Sequence, residues 1–179
     1  FRMGYGRYAM ERTAQRFADM VDDPAYTTLF EGWGIGEKGY GGGTTNHAWS
    51  GGALTVIAGQ LCGIRPLEPG YSVFGVEPDP ASLRNVSIRV PTVRGIIEEE
   101  MRIAGNKLVL SVTVPKGTTA VVTLPEQAEG LQVDGRAPTA GQLRIAEKYG
   151  KPERLQLNLT SGVYRIETVF DPESDDLLK

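Results

Sequence analysis

The sequence predicts an α+β chain: a helical N-terminal part followed by an antiparallel β-sandwich. Three observations carry this. Apolar residues first recur at helical spacing, in "RYAMERTAQRFADMV" and again in "HAWSGGALTVIAGQLCGI". "RPLEPG", residues 65–70, then interrupts the chain with two prolines and a glycine. Beyond it, apolar and polar residues alternate in short runs separated by turn residues.

Taken in order, the first helical run carries Tyr8, Met10, Phe17, Met20 and Val21 among charged residues and stops at Asp22-Asp23-Pro24. The second is small and apolar nearly all round, the pattern of a helix buried on most sides. Gly51, Gly52 and Gly59 each cost roughly 1 kcal/mol of helix propensity relative to Ala. Close backbone packing offsets such a cost, or the first two lie at a helix start, and Gly63 suits a helix C-terminus. Strands are expected in "NVSIRVP", "GIIEEEMRI", "KLVLSVTVP", "TAVVTLP", "LQVDG", "RLQLNL" and "GVYRIETVF". Their spacing of about 8–14 residues fits an antiparallel sandwich. In "GIIEEEMRI" the alternation sets Glu98 and Glu100 on one face and Glu99 on the other, which reads as a solvated edge or surface strand rather than a catalytic pair. The tail from 172 to 179 is acidic and is expected to fray.

Composition narrows the function. Of 179 residues, 40% are hydrophobic and 23% charged, as in an ordinary globular protein. A net charge of −3 and a pI near 5.3 leave no basic footprint for nucleic acid or an anionic membrane. Apolar runs fall short of the ~20 residues that span a bilayer, and no signal peptide opens the chain. Neither a nucleic acid nor a membrane is therefore expected as a partner. The chain begins at Phe1, which suggests processing or a fragment of something longer. Cys62, the single cysteine, sits in apolar "IAGQLCGI" and reads as a small buried hydrophobe. With one His and one Cys, a zinc site of the usual kind is not expected, nor is any cofactor. Asn85-Val-Ser and Asn158-Leu-Thr match the N-glycosylation pattern without a secretory context.

Two helices cannot enclose a core by themselves. They must pack on the sandwich, pair with another copy, or belong to a larger helical domain; the last is favoured. The connection between them, "TTLFEGWGIGEKGYGGGTTNHAWSGG", residues 27–52, holds an acid, both tryptophans and the only histidine. Glu31 lies between Phe30 and Trp33, where a carboxylate can accept a proton from water. Trp33, Trp49 and Tyr40 offer flat faces for sugar C–H groups, and His47 can bond a hydroxyl or orient a carboxylate. The glycines of "GYGGG" let the chain approach a ligand closely. Singly, a loop Glu is more often structural, a lone His more often satisfied and a Trp more often core. Gathered in one loop, they make a carbohydrate site and a structural loop comparable readings.

"TTLFEGW", "TTNHAWSGG", "GIRPLEPGY", "VPTVRG" and "SGVYRIE" resemble, in order, the C-terminal part of bacterial α-L-rhamnosidases, glycoside hydrolase family 78. The resemblance covers about residues 5–170. It implies that 1–64 is the C-terminal end of a helical (α/α)₆ catalytic barrel and 65–171 a C-terminal β-sandwich, with 172–179 trailing as the acidic tail. It implies that Glu31 is the general base of an inverting hydrolysis and that His47 and Trp33 line the sugar pocket, Trp49 less securely. Phe30 stands where many members carry Trp. The implied partners are a rhamnose-containing carbohydrate and the remainder of the barrel, which would supply the general acid, so that the chain alone is expected to be inactive. Exposed helix faces offer a route to a homo-oligomer. Two other readings stay open: a sugar-binding or structural sandwich with a helical hairpin, and another (α/α)₆ hydrolase or phosphorylase.

Overall fold

The computed structural model describes residues 1–33, 35, 43–79, 81, 83–125, 128–148 and 151–169. Helix α1 spans Gly6–Val21. No side chain of its own N-cap residue satisfies the helix start. Instead the Asp79 carboxylate approaches Gly6 so closely that a β-carbon there would stand 2.9 Å from Oδ1, which sets an anion beside the positive end of the helix dipole.

The expected second helix, 47–64, is not one regular helix. A 3₁₀ turn at Ala48–Gly51 leads into the short helix α2, Gly52–Val56, and then into a π turn at Ile57–Leu61. The Cys62 amide accordingly reaches back five residues to the Ile57 carbonyl, at 3.0 Å. Gly51, Gly52 and Gly59 weaken the α-helical preference along this run. Nor is the run buried on most sides: Leu54 is 65% and Val56 42% exposed. No helix among the described residues is long and apolar enough to cross a membrane.

Ten strands follow: β1 Arg65–Pro66, β2 Val73–Val76, β3 Asn85–Thr92, β4 Gly95–Ala104, β5 Lys107–Val114, β6 Thr119–Thr123, β7 Glu129–Val133, β8 Leu143–Lys148, β9 Lys151–Leu159 and β10 Gly162–Val169. One sheet runs β1-β2-β6-β9-β8 and the other β3-β4-β5-β10-β7. All pairings are antiparallel except β2 with β6. The seven runs read from the sequence fall on strands. β1, β2 and β8 were not anticipated: β1 is two residues long, "VFGV" is a short apolar run without alternation, and β8 carries weak alternation in "LRIAEK". The β4–β5 hairpin turns on Gly105-Asn106, where Gly105 has φ 59°, a conformation that side-chain-bearing residues avoid.

Inward positions of both sheets meet in one core. Phe74, Val76, Val122, Leu157 and Leu159 of the first sheet face Ile97, Met101, Leu108, Leu110, Val112 and Ile166 of the second. Burying each large side chain contributes about 1.5–3 kcal/mol. Cys62 and Ile64 extend this core into the end of the helical part, as read for Cys62. Burial pushes the Cys62 thiol up to about 12, with the nearby Glu99 charge adding to it.

The "EEE" run corrects an expectation. β4 is an interior strand, paired with β3 on one side and β5 on the other. Glu98 and Glu100 do lie outward, ion-paired with Arg89 at 2.9 Å and with Arg102 at 2.5 Å. Glu99 turns into the core in register with Ile88 and Val112 and is 3% exposed. Neither of its carboxylate oxygens has a hydrogen-bond partner among the described residues. Desolvation raises its pKa to about 8, so it is a neutral acid at pH 7.

Where the helical run enters the sandwich, Gly63 adopts φ +67° and lies against the Glu77 backbone. The Glu77 and Asp79 amides donate to the Gly63 and Leu61 carbonyls at 3.3 and 3.0 Å. The Glu77 carboxylate takes Nη1 of Arg154 at 2.6 Å and also Nη2 of Arg65.

Candidate active site

Two stretches of the loop run beside each other. The Glu31 amide donates to the Thr44 carbonyl at 2.8 Å, and the His47 amide to the Leu29 carbonyl at 2.9 Å. Further ties come from Thr28 Oγ1 to the Thr45 carbonyl and from Ser50 Oγ to the Phe30 carbonyl. Beneath them Phe30 is 2% exposed, packs edge-on against Tyr26 at 5.0 Å and donates its amide to Met20 Sδ at 3.4 Å. Phe30 is therefore an anchor under the loop, and its neighbour Glu31 is held at the surface by that anchor.

The Glu31 carboxylate is about a third exposed. Its Oε2 accepts from the Thr44 amide at 2.9 Å and from the Thr44 hydroxyl at 3.3 Å. His47 Nδ1 stands 3.6 Å from the same oxygen and 3.1 Å from Thr44 Oγ1. The His47 ring lies over the Trp49 ring with centroids 4.2 Å apart, and Trp49 Nε1 donates to the Glu31 carbonyl at 3.0 Å. Glu31, His47 and Trp49 thus form one cluster. Trp49 remains 67% exposed, an open aromatic face rather than core. Gly43 has φ 111°, a conformation that side-chain-bearing residues avoid, and a β-carbon there would stand 2.4 Å from Ile35 Cδ1.

Trp33 is engaged differently. It packs edge-on against Phe17 of α1 at 5.0 Å, lies 5.8 Å under the Arg16 guanidinium, and is 48% exposed. Among the described residues its ring contacts are with α1 rather than with Glu31 or His47. Tyr40 lies outside the described residues. Thr44 was missed in the sequence reading, although "TTNH" contains it, because nothing local shows that a threonine thirteen residues after Glu31 returns to its carboxylate. A separate groove of about 780 Å³, between Pro66–Tyr71 and Pro91–Val93, shares no residue with this cluster.

Comparison with known proteins bears on the whole arrangement. Residues 63–137 match the family model described as bacterial alpha-L-rhamnosidase C-terminal domain. The chain carries a bacterial alpha-L-rhamnosidase C-terminal domain. A curated alpha-L-rhamnosidase of Formosa agariphila is 31% identical over 152 residues, covering 80% of this chain and 16% of that protein. The solved alpha-L-rhamnosidase of Dictyoglumus thermophilum superposes with a TM-score of 0.67 at 23% identity, over 86% of this chain and 17% of the other. That of Streptomyces avermitilis, solved with L-rhamnose, gives 0.64 at 20% identity, over 79% and 14%. At these identities the two structures establish the fold. The resemblance read from the motifs holds, and this rhamnosidase C-terminal region spans about a sixth of the length of its curated relative.

Proposed function

We propose that the chain is the C-terminal part of an inverting α-L-rhamnosidase of glycoside hydrolase family 78, acting on terminal α-L-rhamnosyl residues of glycosides or polysaccharides. In this reading residues 1–64 close the helical barrel, 65–171 form the trailing sandwich and 172–179 are its acidic tail. The observation that carries it is the Glu31 carboxylate, fixed at Oε2 by Thr44 and flanked by His47 on Trp49. Oε2 accepts from the Thr44 amide and hydroxyl, and Oε1 is the oxygen assigned to receive the proton.

Inversion requires two carboxyl groups about 6.5–9.5 Å apart, with room for water between them. Glu31 takes a proton from that water as its oxygen attacks the anomeric carbon. The bond to the glycosidic oxygen breaks, and a carboxylic acid from the rest of the barrel protonates the leaving oxygen. His47 and the exposed face of Trp49 bind the sugar, with Trp33 farther along the wall. Because the acid comes from other polypeptide, the 179-residue chain alone is inactive.

The test is hydrolysis of an aryl α-L-rhamnoside by the full-length protein and its Glu31→Gln variant. A general base contributes about 10²–10⁴-fold, so kcat should fall by that much. Wild-type kcat in the variant would remove Glu31 from the mechanism. Calorimetric titration of the 179-residue chain with L-rhamnose addresses the non-catalytic alternative: clear binding favours a sugar-binding module, and no binding suits a divided site.

A further inference from the structure

We infer that Thr44 is the positioning residue of this site, and that its hydroxyl sets the tautomer of His47 while holding Glu31. The inference rests on the assignment of Glu31 and His47 to a sugar site and extends it to how the two are prepared.

The argument is a count of one proton. Thr44 Oγ1 has three polar neighbours: Glu31 Oε2 at 3.3 Å, the Asn46 carbonyl at 3.4 Å and His47 Nδ1 at 3.1 Å. An ionised carboxylate and a carbonyl only accept, and a hydroxyl has a single hydrogen to give. If that hydrogen went to an unprotonated Nδ1, the lone pairs of Oγ1 would face two acceptors with no proton between them. The bare Nδ1 would also stand 3.6 Å from Glu31 Oε2, again acceptor against acceptor. If Nδ1 carries the hydrogen, the imidazole contact is matched and the hydroxyl hydrogen is freed for one of the two oxygen acceptors. Nδ1–H donates to Oγ1, and Oγ1–H donates to the carboxylate or the Asn46 carbonyl. The Thr44 amide holds Oε2 from a second direction at 2.9 Å. The neutral imidazole then has its hydrogen on Nδ1, and its bare Nε2 is an acceptor. A sugar hydroxyl approaching His47 must therefore donate to it.

Thr44→Val removes the hydroxyl while keeping shape and backbone amide; Thr44→Ser keeps the hydroxyl. His47 is the only imidazole in the chain, so nitrogen-15 NMR of the 179-residue protein reports one ring without assignment ambiguity. At a pH where the ring is neutral, the wild type and Thr44→Ser should show a protonated Nδ1 and a bare Nε2. Thr44→Val should move the tautomer ratio toward Nε2–H by about tenfold, the worth of one ordinary hydrogen bond. A wild-type ring protonated on Nε2 overturns the inference, as does a folded Thr44→Val protein with an unchanged ratio. Should Thr44→Val fail to fold, the wild-type tautomer decides alone. Full hydrolysis by Glu31→Gln would remove the base assignment and leave this result standing, whereas the wrong tautomer would remove Thr44 and leave the hydrolysis assay untouched.

Discussion

Gly63 lies so close to Glu77 that a β-carbon built on it would stand 2.0 Å from the Glu77 carbonyl oxygen. This contact joins the end of the helical run to the sandwich, and backbone occupies both sides of it, so neither can yield cheaply. Gly63 also has φ +67°, which costs a side-chain-bearing residue on its own. Gly63→Ala should therefore destabilise the chain by about 3 kcal/mol or more in urea unfolding. Gly52→Ala is the contrast. Gly52 is helical and an added β-carbon meets nothing within 4 Å, so it should stabilise by about 0.5–1 kcal/mol.

Glu99 makes stability fall as pH rises. Its pKa is about 8 in the folded chain against 4.5 for the unconstrained group. Between those values the unfolded chain has released a proton that the native chain still holds, so raising the pH favours unfolding. The contribution is fully present below pH 4.5 and is lost as pH rises through about 8. Glu99→Gln should flatten the decline, which amounts to about 5 kcal/mol at most. Urea midpoints of both proteins across this range check it; parallel slopes would contradict the assignment.

Leu54 is 65% exposed on the short helix α2, and Trp49 and Val56 of the same run are exposed as well. Large apolar side chains left open to water tend to associate with other apolar surface. The isolated chain should self-associate with rising concentration, and Leu54→Lys should weaken that while changing stability by less than about 0.5 kcal/mol. Light scattering of the two proteins at matched concentration reads the difference. A wild-type chain that stays monomeric would show that the face is not adhesive.

Glu77 gathers Arg154 and Arg65 on one carboxylate that is 17% exposed. Glu77→Gln keeps the shape but removes the charge that compensates both guanidiniums. Breaking charge-assisted bonds in a part-buried setting should cost about 1–3 kcal/mol, read as a lower urea midpoint. The loss should resist added salt, because Arg154 is itself largely covered.

Legibility differed by kind of feature. The strands in "KLVLSVTV" and "NVSIRV" were plain because period-two alternation is a local property of one buried face. The Val73–Val76 strand was not, because it alternates with nothing: Phe74, Gly75 and Val76 are all buried. Within the loop, Glu31, His47 and Trp49 were legible as an unusual gathering of residue types. Their mutual arrangement was not, since it depends on two stretches more than ten residues apart lying side by side.

By itself, the sequence determined that helical segments precede strands, the alternating faces of the seven strands it made legible, and the loop that concentrates acid, imidazole and indole. These follow from the chemistry of neighbours along one chain. Only the tertiary structure decided that Glu99 is sealed into the core while Glu98 and Glu100 are not edge groups but the outer face of an interior strand. It alone brought Thr44 to the Glu31 carboxylate and turned Trp33 onto α1. The reason is physical: burial and hydrogen-bond partners are set by which segments pack against each other, and that packing minimises a free energy shared by residues far apart in the chain.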